Sequence, residues 1–145
     1  MEQHWVHRGD HVTRPGEKPR VLVVDDSSTY RLWLGMMLQD RYEVHMADDG
    51  DTGVSAALSV QPDLILMDVV MPRVDGLTAC RALRSHPETS RIPLILVSDP
   101  ADEWAPAAGF GSGCSDCLTK PVDQSELLAK VASWLDRVAA PGELL

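Results

Sequence analysis

Asp25, Asp26, Asp68, Ser98 and Lys120 are the residues of this sequence whose types and positions could act together. The apolar run VLVV precedes the acidic pair, LILM precedes Asp68 and LILV precedes Ser98, while the short stretch DCLT precedes Lys120. Taken singly, an aspartate in such a place is ordinarily a helix cap or a loop-solvating group, and a lysine a solvated charge. Taken as a set they describe a reaction. Carboxylates gathered at one edge repel one another and are driven towards their neutral forms unless a cation sits among them. Mg²⁺ suits that place, because it binds through one or two carboxylates with waters and a phosphate oxygen; Asp25, Asp26, Asp68 and a backbone carbonyl from the loop after Asp68 would supply the protein oxygens. A metal and a lysine neutralise charge on a moving phosphoryl group while a carboxylate attacks in line and becomes an acyl phosphate. Ser98 would offer its hydroxyl to that phosphate.

For these groups to meet, the runs before them must be parallel strands of one sheet. The chain alternates short apolar runs with longer amphipathic segments, the pattern of βα repeats around a parallel sheet. VLVV (21–24) is the first strand. Ser27 or Ser28 caps a helix that carries Leu32, Trp33, Met36, Met37 and Leu38 on one broad face and closes near Asp40. YEVHMA is a second strand. DDGDTGVSAALSV is a second helix that must stop before Gln61, since Pro62 disfavours the helical conformation there. LILM is unbroken apolar, as expected of a central strand covered on both faces, and ends in Asp68. MPRVDG is a loop, GLTACRALRSH a third helix ended by Pro87, and IPLILVS a fourth strand ending at Ser98. A fourth helix is expected within DPADEWAPAAGFGSG, shortened by Pro106 and the glycines at 109, 111 and 113. DCLTK is a last short strand, and Asp123 caps a closing helix. In such a sheet the ligand site lies at the carboxyl ends of the strands, beside the point where strand order reverses.

Composition narrows the function classes. The 145 residues, 44% of them hydrophobic, suffice for one full core, and the net charge of -9 repels the phosphate backbone of nucleic acids and anionic membrane surfaces. Direct nucleic-acid binding is not expected. No apolar run approaches the roughly 20 residues needed to span a bilayer, the first residues resemble no secretory signal, and a cytoplasmic location is expected. Three cysteines form an odd set. Cys114 and Cys117 make a C-x-x-C that runs straight into LTKP rather than opening a helix, and no second paired spacing supplies a zinc site. Residues 1–19 mix charges, histidines and breakers without apolar periodicity and read as a flexible extension. The remainder divides into a folded unit at 20–140 and a tail at 141–145.

At this point the residues resemble the receiver domains of bacterial two-component response regulators, of the chemotaxis-regulator type, from about Arg20 to Ala139. VLVVDDSS is similar to the family's first strand and acidic pair, LILMDVVMPRVDG to its phosphoacceptor strand and loop, LILVS to its hydroxyl strand, and DCLTKP to its lysine-proline turn. The resemblance implies a doubly wound α/β fold with a five-stranded parallel sheet, helices on both faces, and flavodoxin-like strand order 2-1-3-4-5. It further implies Asp25 and Asp26 as metal ligands, Asp68 as phosphoacceptor and metal ligand, and Val70 as the ligand acting through its backbone carbonyl. Ser98 becomes the switch hydroxyl and Lys120 the phosphate-binding cation, with a cis bond before Pro121. The implied cofactor is Mg²⁺, and the implied partners are a histidine kinase or phosphotransfer protein and a downstream target protein. Pairing of two copies through the last helices is an analogy with the family.

Several positions depart from the family's pattern. Cys117 stands where an aromatic usually swings inward on phosphorylation, Asp99 follows the switch hydroxyl where a small residue is usual, and Arg73 replaces a common glycine. Cys117 and Asp99 favour, as an alternative, a receiver-fold interaction module with weak or no phosphorylation. A hydrolase of phosphorylated metabolites would carry its nucleophile in a D-x-D pattern after the first strand, which adjacent Asp25 and Asp26 do not make. After the last helix only PGELL remains, so output is expected through a partner, or through a longer chain of which this is a part. No turnover of an external substrate is expected beyond the domain's own phosphoryl transfer and dephosphorylation.

Overall fold

The computed structural model describes residues 6–8, 11–13, 17–100 and 111–139. In chain order the elements are β1 (Val6–Arg8), β2 (His11–Thr13), β3 (Arg20–Val24), α1 (Ser28–Leu38), β4 (Glu43–Ala47), α2 (Gly50–Val60), β5 (Leu64–Asp68), α3 (Gly76–Ser85), β6 (Leu94–Ser98), β7 (Asp116–Thr119) and α4 (Gln124–Ala139). β3 to β7 form a five-stranded parallel sheet in the spatial order β4-β3-β5-β6-β7. Counted along the chain from β3, that is the expected order 2-1-3-4-5.

The three central strands are covered on both faces, which is why they read as unbroken apolar runs. Their side chains alternate between two cores, as strand pleating requires. Leu22, Val24, Ile65, Met67, Leu94 and Leu96 pack with Ala57 of α2 and Ala79, Cys80 and Leu83 of α3. Val21, Val23, Leu64, Leu66, Ile95 and Val97 pack with Leu34 and Leu38 of α1 and Leu127, Val131 and Leu135 of α4. Each such residue stabilises the fold by about 1.5–3 kcal/mol. A slip of one residue would exchange the two cores, so register is strongly specified, and with it the position of each strand's last residue.

The helices begin where side chains satisfy their first amide groups. Ser27 accepts from the Tyr30 N–H, Asp49 from Thr52, Asp75 from Thr78, and Asp123 from Glu126. α2 stops at Val60, and Gln61 adopts the left-handed conformation at φ 55° before Pro62.

Two expectations are corrected. The apolar residues Leu32, Trp33 and Met36 do not form the buried face of α1: they are exposed, and the helix packs through Leu34, Gly35 and Leu38. The reason lies in the assembled core, where Leu34 and Leu38 pack with Val21, Val23 and Leu127, while Gly35 lies so close to Met46 of β4 that a Cβ there would fall 2.5 Å from its terminal carbon. The first nineteen residues were expected to lack regular structure, yet β1 and β2 pair antiparallel, with Val6 opposite Thr13 and Arg8 opposite His11. Two short stretches containing Val6, Val12 and Thr13, separated by Gly9-Asp10, are a recognised hairpin pattern. The expected fourth helix lies largely outside the described residues, as does the tail at 141–145.

Candidate functional site at the carboxyl edge of the sheet

β3 and β5 are neighbours, and the chain departs from β3 in opposite directions to β4 and β5, so the order reverses between them. Asp25 follows the last residue of β3 and Asp68 is the last residue of β5. The Asp25 N–H donates to the Ala47 carbonyl at 3.2 Å, and the Asp25 carbonyl accepts from an Arg31 guanidinium N–H at 2.6 Å. Its carboxylate accepts from the Ser27 N–H at 2.9 Å. These contacts turn the backbone away from the sheet while keeping the Asp25 side chain buried on the edge. Asp26, one residue on, is exposed.

One carboxylate oxygen from each of Asp25, Asp26 and Asp68 lies within 4.8 Å of the others. Among the described residues no other group of His, Cys, Asp and Glu side chains comes together in this way. Lys120 reaches in from the end of β7: its Nζ is 3.4 Å from an oxygen of Asp25 and 3.4 Å from an oxygen of Asp68. Its backbone N–H donates to the Ser98 carbonyl at 2.7 Å, so the lysine and the buried serine are held side by side. The Lys120–Pro121 peptide is cis, as the resemblance implied. Val70, in the loop after β5, is exposed on the same edge. The sheet thus brings Asp25, Asp26, Asp68, Ser98, Lys120 and Val70 to one edge.

Burial raises the Asp68 pKa, the negative charges of Asp25 and Asp26 raise it further, and Lys120 only partly opposes them, so it stands at about 7. For Lys120, burial works to lower the pKa, but Asp68 and Asp25 outweigh it and hold the ammonium above its ordinary value. One cation therefore serves two buried carboxylates, with a third acidic group beside them. The donor set fits a hard divalent ion, because added positive charge is what this oxygen cluster lacks.

Four residues here escaped the sequence reading. Gly76 opens α3 with its N–H donating to the Val69 carbonyl at 2.7 Å, and a Cβ there would fall 2.2 Å from the Asp68 carbonyl oxygen. The VDG run signals a helix start but not this close approach to β5. Arg31 and Tyr30 meet the site only through the fold: Tyr30 accepts from the Val122 N–H, 92 residues away, at 3.0 Å. Asp49, at the start of α2, pairs with Arg73, which holds the left-handed conformation at φ 67° in the position where the family usually has glycine. Cys117 is half-buried on β7, and its carbonyl accepts from Lys130 Nζ at 2.9 Å. Asp99 is exposed beside Ser98. No described helix is long and apolar enough to cross a membrane.

The model for the response regulator receiver domain matches residues 21–132. This chain belongs to that family. Among similar proteins, Protein PilH of Pseudomonas aeruginosa is 42% identical over 117 residues, covering 80% of this chain and 97% of PilH. The DNA-binding dual master transcriptional regulator RpaA of Synechocystis is 38% identical over 120 residues, covering 82% of this chain. This chain spans about half of RpaA's length, 50%. Among solved structures, the receiver domain of sensor histidine kinase PA1611 from Pseudomonas aeruginosa superposes with a TM-score of 0.76 at 28% identity, covering 81% of this chain and 98% of that one. That crystal structure has a magnesium ion coordinated in its active-site cleft. The receiver domain is a phosphoacceptor module of two-component signal transduction, and its doubly wound parallel fold is the one found here.

Proposed function

We propose that Asp68 of this receiver domain accepts the phosphoryl group, that Asp25, Asp26, Asp68 and the Val70 carbonyl hold Mg²⁺, and that Ser98 and Lys120 bind the transferred phosphoryl oxygens. The observation that carries this reading is the Lys120 ammonium 3.4 Å from both buried carboxylates, with Asp68 still pushed up to about 7. When bound, the divalent ion supplies charge neutralisation for the phosphoryl oxygens. The chain's own groups do the rest. An ionised Asp68 oxygen attacks phosphorus in line, forming the acyl phosphate O–P bond while the bond to the donor's leaving group breaks and that group takes the electron pair. Lys120 already faces Asp68 and exchanges one carboxylate partner for the new phosphoryl oxygens. Ser98, buried beside the Lys120 backbone, donates its hydroxyl. Water attack on the same phosphorus breaks the Asp68 O–P bond, releasing inorganic phosphate and the free carboxylate, so phosphorylation and dephosphorylation are the reactions the domain promotes.

The phosphodonor on this reading is a histidine kinase or phosphotransfer protein, and output passes to a target protein from a folded unit at 20–140 in the cytoplasm. One position favours the alternative of an interaction module without phosphorylation: Cys117 lacks the ring that would move inward beside Ser98. Incubation with Mg²⁺ and acetyl phosphate, followed by intact-mass spectrometry, decides between them. The expected result is one added phosphoryl in the wild type and none in Asp68→Asn. A wild type that stays unmodified under conditions that preserve an acyl phosphate would support the interaction module.

A further inference from the structure

The environment of the Lys120 ammonium has a third wall. Besides Asp25 and Asp68, Nζ lies over the ring of Tyr30, 4.4 Å from its centroid. The same tyrosine accepts from the Val122 N–H at 3.0 Å through its hydroxyl oxygen. One side chain therefore touches both the charged end of Lys120 and the backbone just beyond Pro121. Tyr30 is itself held on three sides. Its N–H is capped by Ser27, the next residue Arg31 is tied to the Asp25 carbonyl, and Trp33 packs edge-on against its ring at 5.2 Å and 74°.

We propose that Tyr30 is the positioning residue for Lys120: its ring face holds the ammonium against the carboxylate pair, and its hydroxyl fixes the turn from which the lysine extends. This inference rests on the reading of Lys120 as the phosphoryl-binding cation. The physical need is clear from the lysine alone. A flexible four-carbon stem carrying a strongly hydrated point charge has many rotamers, and from the end of β7 several of them point to solvent. Asp25 and Asp68 each attract the ammonium at 3.4 Å. An aromatic face beside it attracts it without neutralising it, leaving its charge available to incoming phosphoryl oxygens.

The test follows the rate of Asp68 phosphorylation by acetyl phosphate with Mg²⁺, read by intact mass, across a ring series at position 30 of the full chain. Tyr30→Phe keeps the ring but loses the Val122 hydrogen bond, so it is expected to slow phosphorylation less than the loss of the ring does and to melt at lower temperature. Tyr30→Leu is expected to slow phosphorylation by about 3- to 30-fold, the range a cation–π contact spans from exposed to desolvated. Should Tyr30→Leu fold poorly, difluoro- and pentafluorophenylalanine at position 30 preserve shape while weakening the negative ring face. The rate should then fall stepwise with fluorination, which a packing role would not produce. Equal rates for Phe and its fluorinated analogues, or for wild type and a folded Tyr30→Leu, would overturn the role of Tyr30 alone. A wild type that takes no phosphoryl group would instead overturn the reading of the site and this inference with it.

Discussion

A buried aspartate and a half-buried one, at opposite parts of the sheet, have been treated in opposite ways. Asp116, at the start of β7, faces α4 and accepts from Trp134 Nε1 at 3.0 Å, Lys130 Nζ at 3.1 Å and the Cys117 N–H at 2.8 Å. Burial works to raise its pKa, but those three partners outweigh it and hold the carboxyl below its ordinary value. Asp68 has two acidic neighbours and a share in one lysine, and stands at about 7. A carboxylate fully supplied with donors is finished as a structural element. One left short of positive charge, at the strand ends where the sheet order reverses, is held ready for something that brings charge with it.

That contrast can be broken by exchanging what each site lacks or has. Removing the lysine at each should have different consequences. Lys120→Ala is expected to slow phosphorylation by about 100-fold, the scale of losing one preorganised charge at a reacting centre. Lys130→Ala should leave that rate unchanged and lower stability by only about 0.5–1 kcal/mol, a half-exposed pair being worth little more. Intact-mass time courses and urea melts would show both.

Gly76→Ala sharpens the comparison from the backbone side, since the added Cβ would meet the Asp68 carbonyl oxygen at 2.2 Å. We expect a loss of about 3 kcal/mol in urea unfolding, the upper range of overpacking against an element that cannot move aside. Nothing around Asp116 imposes a comparable backbone demand among the glycines described.

Stability against pH separates the two carboxylates by sign. The folded value of Asp68 lies above the value of about 4 for an unfolded aspartate. Its contribution is therefore fully present below that lower value and is lost as pH rises through about 7. Without divalent metal, the fold should lose about 1–2 kcal/mol over that window, an amount discounted for water reaching the site. Mg²⁺ should restore it, and Asp68→Asn should abolish it. Asp116, held low, contributes in the opposite sense: its share is present above the unfolded value and lost in more acidic solution.

The smallest effect is expected at Arg73. Its φ of 67° suits glycine, while its pairing with Asp49 uses a side chain that is 71% exposed. Relief of the left-handed backbone should outweigh a pair whose arginine is largely solvated although its aspartate is buried, so Arg73→Gly is expected to stabilise the fold by about 0.5–1 kcal/mol in thermal melts.

What was legible in the sequence followed from burial. VLVV, LILM and LILV are apolar without interruption because helices cover both faces of β3, β5 and β6, and the residues that end them had to reach one edge. Asp25, Asp26, Asp68, Ser98 and Lys120 could therefore be placed before any coordinates. α1 was misread because Leu32, Trp33 and Met36 are as apolar as Leu34, Met37 and Leu38, and only the assembled sheet shows that the latter three pack against the core. β1 and β2 were missed because each spans three residues, too few for a period to show. Tyr30, Arg31 and Gly76 carry no spacing signal, since their partners are Lys120, the Asp25 carbonyl and the Asp68 backbone, contacts that exist only once the sheet is assembled.

Asp68 is a carboxyl with too little positive charge around it until a divalent ion arrives, sharing a single lysine with Asp25. Carboxyl-carbon NMR of selectively labelled aspartates, with Asp68 assigned through Asp68→Asn, measures this directly. Titrated without metal, Asp68 should have its midpoint near 7, falling well below that value when Mg²⁺ is added. A midpoint near the ordinary aspartate value of about 4 in metal-free protein, unmoved by Mg²⁺, would contradict the account.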